Sequence, residues 1–217
     1  SAAMFRYLAR HWATFGALIG GTTFGAMANM AMLGWAPVWF ERRFAWNKTE
    51  IGSHLGIIIF VFGTLGLTLS GSLANRYIRA GKKLVYIKLM MAAEILVIIP
   101  VVLAHVFDNP YWVLGCIGGT IFLTGIPSGL GPAALQSITP NEMRGQITAI
   151  AFLVLALVST TLGNTLVGLL TDYVFVDPKE VRSSAVIVAI FATILGVISL
   201  RTGLRAYERT AEENKPA

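Results

Sequence analysis

The chain is predicted to be an all-α polytopic membrane protein. Three observations lead to that class. Of its 217 residues, 55% are hydrophobic and only 13% charged, and the mean hydropathy is +0.69. Soluble domains carry about 25% charged residues, and a globule this poor in charge could not cover its surface. Six apolar stretches are also long enough to span a bilayer, which takes about 20 residues of helix. They alternate too little, and run too long, for barrel strands, so helix is the structure that satisfies their backbone groups in lipid.

In order, the spans are expected at about 12–40, 51–73, 84–106, 111–136, 146–172 and 184–204. Short polar connections separate them: "ERRFAWNKTE", "ANRYIRAGKK", "FDNP", "SITPNEMRG" and "DYVFVDPKEVRS". The first span is rich in small residues. Gly16/Gly20 and Gly21/Gly25 are four apart, as are Gly52/Gly56, Gly115/Gly119 and Gly125/Gly129. That spacing lets helix backbones approach closely, so tight bundle packing is expected. In the third span Glu94 is the one acid well inside an apolar run. In the fourth, "GIPSGLGPAA" (125–134) puts Pro127 and Pro132 among three glycines, which predicts a kinked or broken helix. Asp172 closes the fifth span and is expected at an interface. The single cysteine, Cys116, lies in an apolar run, which excludes disulfides and cysteine metal sites. The first apolar run is too long for the core of a signal peptide. The first residue is Ser1 rather than Met, and the chain is expected to be part of a longer protein.

Net charge is +6 and the isoelectric point about 9.7. In a membrane protein such an excess marks cytoplasmic loops rather than a nucleic-acid partner. Six spans place both termini on one side. Of the 17 Lys and Arg, Arg42, Arg43, Lys48, Lys179 and Arg182 fall on the opposite side, and the other 12 on the side of the termini. The termini are therefore expected in the cytoplasm. The densest basic stretch, "GSLANRYIRAGKK" (71–83), is then a topology anchor.

That stretch also carries a resemblance. It is similar to the loop signature of the major facilitator superfamily, Gly-x-Leu-Ala-Asp-Arg-x-Gly-Arg-Lys, with Gly71, Leu73, Ala74, Arg76, Gly81, Lys82 and Lys83 matching across one insertion. Asn75 stands where the family has Asp. "ITPNEMRGQITAIAFLV" (138–154) resembles the connection into the fifth helix of a half, with Pro140, Met143, Arg144 and Gly145 in place. "WAPVWFERRFAWNKTEIG" (35–52) and "MRGQITAIAFLVLALVSTTLGNTLVGLLTDYVF" (143–175) resemble the seventh and eleventh helices of the Spinster-like branch. The resemblance implies the C-terminal half of a twelve-helix transporter, built as two three-helix repeats at about 12–106 and 111–204. It implies a membrane-embedded partner half, alternating access, and a lysolipid, sphingoid or other amphiphilic substrate, in a bacterial inner membrane. It further implies that Gly71, Asn75, Arg76, Gly81, Lys82, Lys83 and Arg144 form a gating contact. There the signature's acid, here Asn75, faces the positive end of the fifth helix.

Two stripes of small polar residues are candidates for substrate contact. Thr22, Gly25, Asn29 and Ala36 share a face of the first helix, and Thr120, Thr124 and Ser128 a face of the fourth. Such stripes serve equally as seams of interhelical hydrogen bonds. The resemblance implies a cavity wall, since the first and fourth helices of each half line the cavity in that superfamily. Trp35 and Trp39 are expected in the aromatic belt of the outer interface. An ionisable group in mid-membrane is costly and by default functional. Glu94 is therefore read either as a proton-coupling group or as a structural acid on a supporting helix. Two other classes were weighed. An intramembrane serine protease would need a paired base for Ser128, and His11, His54 and His105 all lie near helix ends. A six-helix substrate-binding subunit would need no loop signature. No phosphate-binding glycine loop is present, so no nucleotide drive, cofactor or metal is expected, and transport would be secondary.

Overall fold

The computed structural model describes residues 2–82 and 84–213. Lys83 of the basic signature and Lys215 of the charge count lie outside the described residues. Among the described residues seven helices follow one another: α1 (Ala2–Arg10), α2 (Trp12–Phe44), α3 (Lys48–Arg79), α4 (Val85–Val106), α5 (Pro110–Ser137), α6 (Asn141–Phe175) and α7 (Pro178–Glu213). Helices α3 to α7 are each long and apolar enough to cross a membrane. α2 has the length, about 50 Å over its 33 residues. Its glycines and threonines dilute its hydropathy, and it sits inside the bundle.

Local sequence explains the turns at the Asp108 end. Asn47, Asn109 and Asp177 each accept a hydrogen bond from a backbone N–H of the helix that follows, at 2.8–2.9 Å. Side-chain oxygens at this position satisfy N–H groups that have no partner within the helix. Pro110 and Pro178 come next, where the helix needs no N–H from them. At the opposite end α3 stops at Gly81, whose φ of 71° is left-handed. Lys82 N–H donates to Tyr77 O (3.1 Å) and Gly81 N–H to Ile78 O (2.9 Å). These are the two closing bonds of a Schellman cap.

α2 packs along α7 and against α5 and α6, α5 packs on α3 and α4, and α4 closes on α7. A close crossing joins α3 and α5. A Cβ placed on Gly66 would lie against the carbonyl of Phe122 and 3.3 Å from Cα of Gly125, so glycine is required there. Gly129 meets Ser70 one turn further on. The spacing did not always mean packing: Gly52 and Gly56 have nothing near their Cα hydrogens.

The apolar core divides into two clusters. One includes Met27, Val97, Ile121, Val167 and Ala192. The other includes Leu18, Met90, Ile126, Ala151 and Leu200. Along every long core helix a gap falls between the clusters. Into it fall Thr22, Thr23, Glu94, Thr124, Ser159 and Thr193, all buried. The bundle thus has a polar layer at mid-depth between two apolar layers.

Three expectations are corrected. The stretch 74–79 is not loop, because α3 continues as helix to Arg79. Apolar length marks the bilayer crossing, whereas a helix continues until a cap stops it. α5 is not broken at "GIPSGLGPAA": it runs unbroken through Pro127 and Pro132. The hydroxyls of Thr124 and Ser128 bond back to Thr120 O and Thr124 O of the same helix at 2.8 Å. Trp39 is not in an exposed belt, since it is 2% exposed and packs on Phe40. Trp35 is half-buried and donates Nε1–H to Asn164 O of α6 (3.1 Å). Two π-helical turns, Ile59–Gly63 in α3 and Leu170–Phe175 in α6, were not anticipated. The second coincides with the "LTDYVF" of the resemblance. α1 was not anticipated either. It is an amphipathic helix with Met4 buried and Phe5 exposed, and the hydroxyl of Tyr7 donates to Ile138 O (2.7 Å).

Candidate functional site

The two polar stripes meet. Asn29 of α2 donates from Nδ2 to Thr124 Oγ1 of α5, at 2.6 Å. Asn29 is half-buried, with half-buried Met30 and Leu123 beside the pair in sequence. About two turns away along α2, Thr22 and Ser128 line a cavity of about 110 Å³ between α2, α5 and α6. Gly131, Thr148 and Phe152 complete much of its wall. Thr22 Oγ1 donates to backbone carbonyls of its own helix, and its methyl group fills the space a Cβ on Gly131 would need. The result is an apolar pocket edged by small hydroxyls, with hydrogen-bonding capacity and no charge.

The remaining stripe residues turn elsewhere. Thr120 is buried and donates to Cys116 O (3.0 Å). Gly25 faces α4, where the carboxyl of Glu94 fills the notch left by its missing side chain. Glu94 is 1% exposed, and neither carboxyl oxygen has a hydrogen-bond partner among the described residues. Gly196 of α7 flanks it on the other side. Glu94 therefore points into the α2–α4–α7 seam, away from the Thr22–Ser128 cavity.

Asn75, Arg76, Gly81 and Lys82 of the signature lie at or near the α3–α4 turn, with Gly71 further back in α3. Gly71, Asn75, Arg76, Gly81 and Lys82 are all exposed. Lys82 Nζ lies 4.6 Å from the ring centre of Tyr77. Asn75 makes no side-chain hydrogen bond to α6 among the described residues, and Arg144 instead donates Nε–H to Thr139 O (3.0 Å).

A third polar cluster had no signal in the sequence beyond the isolated letters of "FDNP". Asp108 Oδ1 accepts from Arg43 Nη2 (2.5 Å) and Arg182 Nη1 (3.2 Å). Arg182 also donates to Phe107 O (3.1 Å), and Arg42 donates to Pro178 O (2.7 Å). Hydrogen bonds from Arg43 and Arg182 hold the Asp108 carboxyl below its ordinary value of 3.8. The cluster ties the end of α2 to the α4–α5 and α6–α7 turns. Ser128, the serine weighed as a nucleophile, donates to Thr124 O and meets no histidine among the described residues.

No family model and no curated protein matches the chain. Among solved structures it is similar to a bacterial homologue of the human lysosomal transporter Spinster, in an inward-facing and occupied conformation. The TM-score is 0.65 at 13% sequence identity, over 92% of this chain and 49% of that one. The chain thus spans about half the length of that transporter. The likeness shows the fold: an all-helical bundle arranged like about half of that transporter.

Proposed function

We propose that the chain is the C-terminal half of a secondary transporter that moves an amphiphile, of lysolipid or sphingoid type, by alternating access. The observation that carries this reading is the joining of Asn29 to Thr124, a buried hydroxyl of the mid-depth layer, with the Thr22–Ser128 cavity about two turns along α2. An amphiphile needs a mostly apolar wall with a few groups for its head. Neither α2 nor α5 brings a lysine or arginine to mid-depth. An anionic head would therefore find its charge partner in the N-terminal half, with this half holding the neutral and apolar portions. That half would also cover exposed apolar side chains of α3 and α6, among them Phe60, Leu67, Leu153 and Leu157. The charge split supports cytoplasmic termini, and the bacterial origin of the similar transporter supports a bacterial inner membrane. Gating falls to the α3–α4 turn, with Asn75 as a hydrogen-bonding but uncharged latch toward α6. Glu94 is assigned a packing role, because its carboxyl is enclosed by glycine notches.

The test is uptake of a fluorescent lysolipid into proteoliposomes holding the whole protein. Asn29→Leu and Thr124→Leu should each cut transport at least about tenfold, the scale of one buried hydrogen bond to the moving substrate, without loss of expression. Glu94→Gln should retain both gradient-driven uptake and substrate exchange. Wild-type rates in both leucine variants would make the stripes packing seams and end the cavity assignment.

A further inference from the structure

We propose that the α3–α4 turn binds an anionic phospholipid, with its phosphate between Lys82 and Lys88 and its acyl chains along the outer face of α4. A cleft of about 340 Å³ opens there, lined by Tyr77, Lys82, Val85, Lys88 and Leu89. Among the described residues its lining carries two amines and no carboxylate. Lys82 is placed over the Tyr77 ring. Neither lysine forms an ion pair with a carboxylate among the described residues. Two acids, Glu208 and Glu212, line an adjoining cleft that shares only Lys82 and Val85 with this one. Their position directs an anion toward Lys88. A lone lysine at a helix end would be accounted for by its stem lying along apolar surface with its amine in water. A second amine, an aromatic wall and a concave floor of Val85 and Leu89 go beyond that.

The register of α4 identifies the ligand as a lipid. Ile95, Ile99, Val102 and Val106 follow Lys88 by 7, 11, 14 and 18 residues and so share its face. All four are exposed, Ile99 at 57% and Val106 at 63%. From Lys88 to Ile99 the helix rises about 16 Å, the scale of an acyl chain in one leaflet. One helix face therefore offers a cation at the membrane surface and an unbroken apolar track beneath it. Basic pockets between transmembrane helices on the cytoplasmic side suit anionic headgroups. The inference requires that the bundle sit in a bilayer and does not depend on what it transports.

Native mass spectrometry of the whole protein in detergent, given equimolar phosphatidylglycerol and phosphatidylcholine, tests it. Wild type should retain phosphatidylglycerol in preference. Each of Lys82→Gln and Lys88→Gln should weaken that retention about fivefold, and the pair together about thirtyfold. Arg201→Gln with Arg205→Gln, which removes two charges from α7, should change it by less than about twofold. Leu89→Trp, which fills the cleft and keeps both amines, should also weaken it. Equal retention by wild type and the double lysine variant overturns the proposal, as does an equal loss in the α7 variant. Displacement of the lipid by millimolar inorganic phosphate would show a site for the free anion and likewise overturn it.

Discussion

Alanine at Gly25 and alanine at Gly196 should have opposite effects, although both glycines face the same carboxyl. A methyl group on Gly25 would overlap Oε1 of Glu94 and stand 3.0 Å from its carboxyl carbon. A methyl group on Gly196 would meet its neighbours, including Oε2 of Glu94, at 3.5 Å or more. Both substitutions gain about 1 kcal/mol from replacing glycine inside a helix. Only Gly25→Ala also overpacks the seam, at about 1–3 kcal/mol. Glu94 is buried, so its carboxyl has little free space to move into. Gly196→Ala should therefore raise the melting temperature by about 2–4 °C, and Gly25→Ala should lower it by up to about 8 °C. In a Glu94→Ala background the overlap disappears, and Gly25→Ala should become neutral or stabilising. The coupling energy of that cycle is then about 1–3 kcal/mol. Thermal unfolding of the detergent-solubilised protein, followed by tryptophan fluorescence, reads all four variants. If Gly25→Ala shifts the midpoint equally with and without Glu94, the notch has been misassigned.

Gly66→Leu should be more damaging than Gly25→Ala, because the neighbouring atoms are the Phe122 carbonyl and the Gly125 backbone, which cannot rotate away. A loss of about 3 kcal/mol or more is expected, measured by the same melting assay. The Asp108 cluster predicts a pH profile. Its folded-state value is depressed, so its contribution is complete above the ordinary value of 3.8 and is lost as pH falls through the depressed one. Wild type and Asp108→Asn should therefore differ in stability at neutral pH and converge in strong acid. A difference that grows on acidification would contradict the assignment. For orientation, with Cys116 replaced, an impermeant maleimide should label a cysteine at position 47 in intact cells and spare one at position 79. The reverse pattern would invert the topology.

The fold class was legible from the chain because lipid removes alternatives. A backbone with no water to bond must close its hydrogen bonds within each span, and low charge with long apolar runs therefore decides for helices. The turns were readable for a related reason, since Asn109-Pro110, Asp177-Pro178 and Gly81 act through their own backbones. Which face of a helix looks where was not legible. Thr22, Gly25 and Asn29 make one stripe by spacing. Yet Thr22 borders a cavity, Asn29 bridges to Thr124, and Gly25 receives Glu94. Those fates depend on which neighbour approaches, and in a span made mostly of apolar residues periodicity carries little information about direction. The same holds for Trp39, belt-like in sequence and buried in fact, and for Asp108, whose two arginine partners lie 65 and 74 residues away. Composition, span length and turn chemistry were properties of the sequence alone. The polar mid-layer, the Gly25–Glu94 notch and the Asp108 clasp were decided by tertiary packing, because each is a contact between residues distant in the chain.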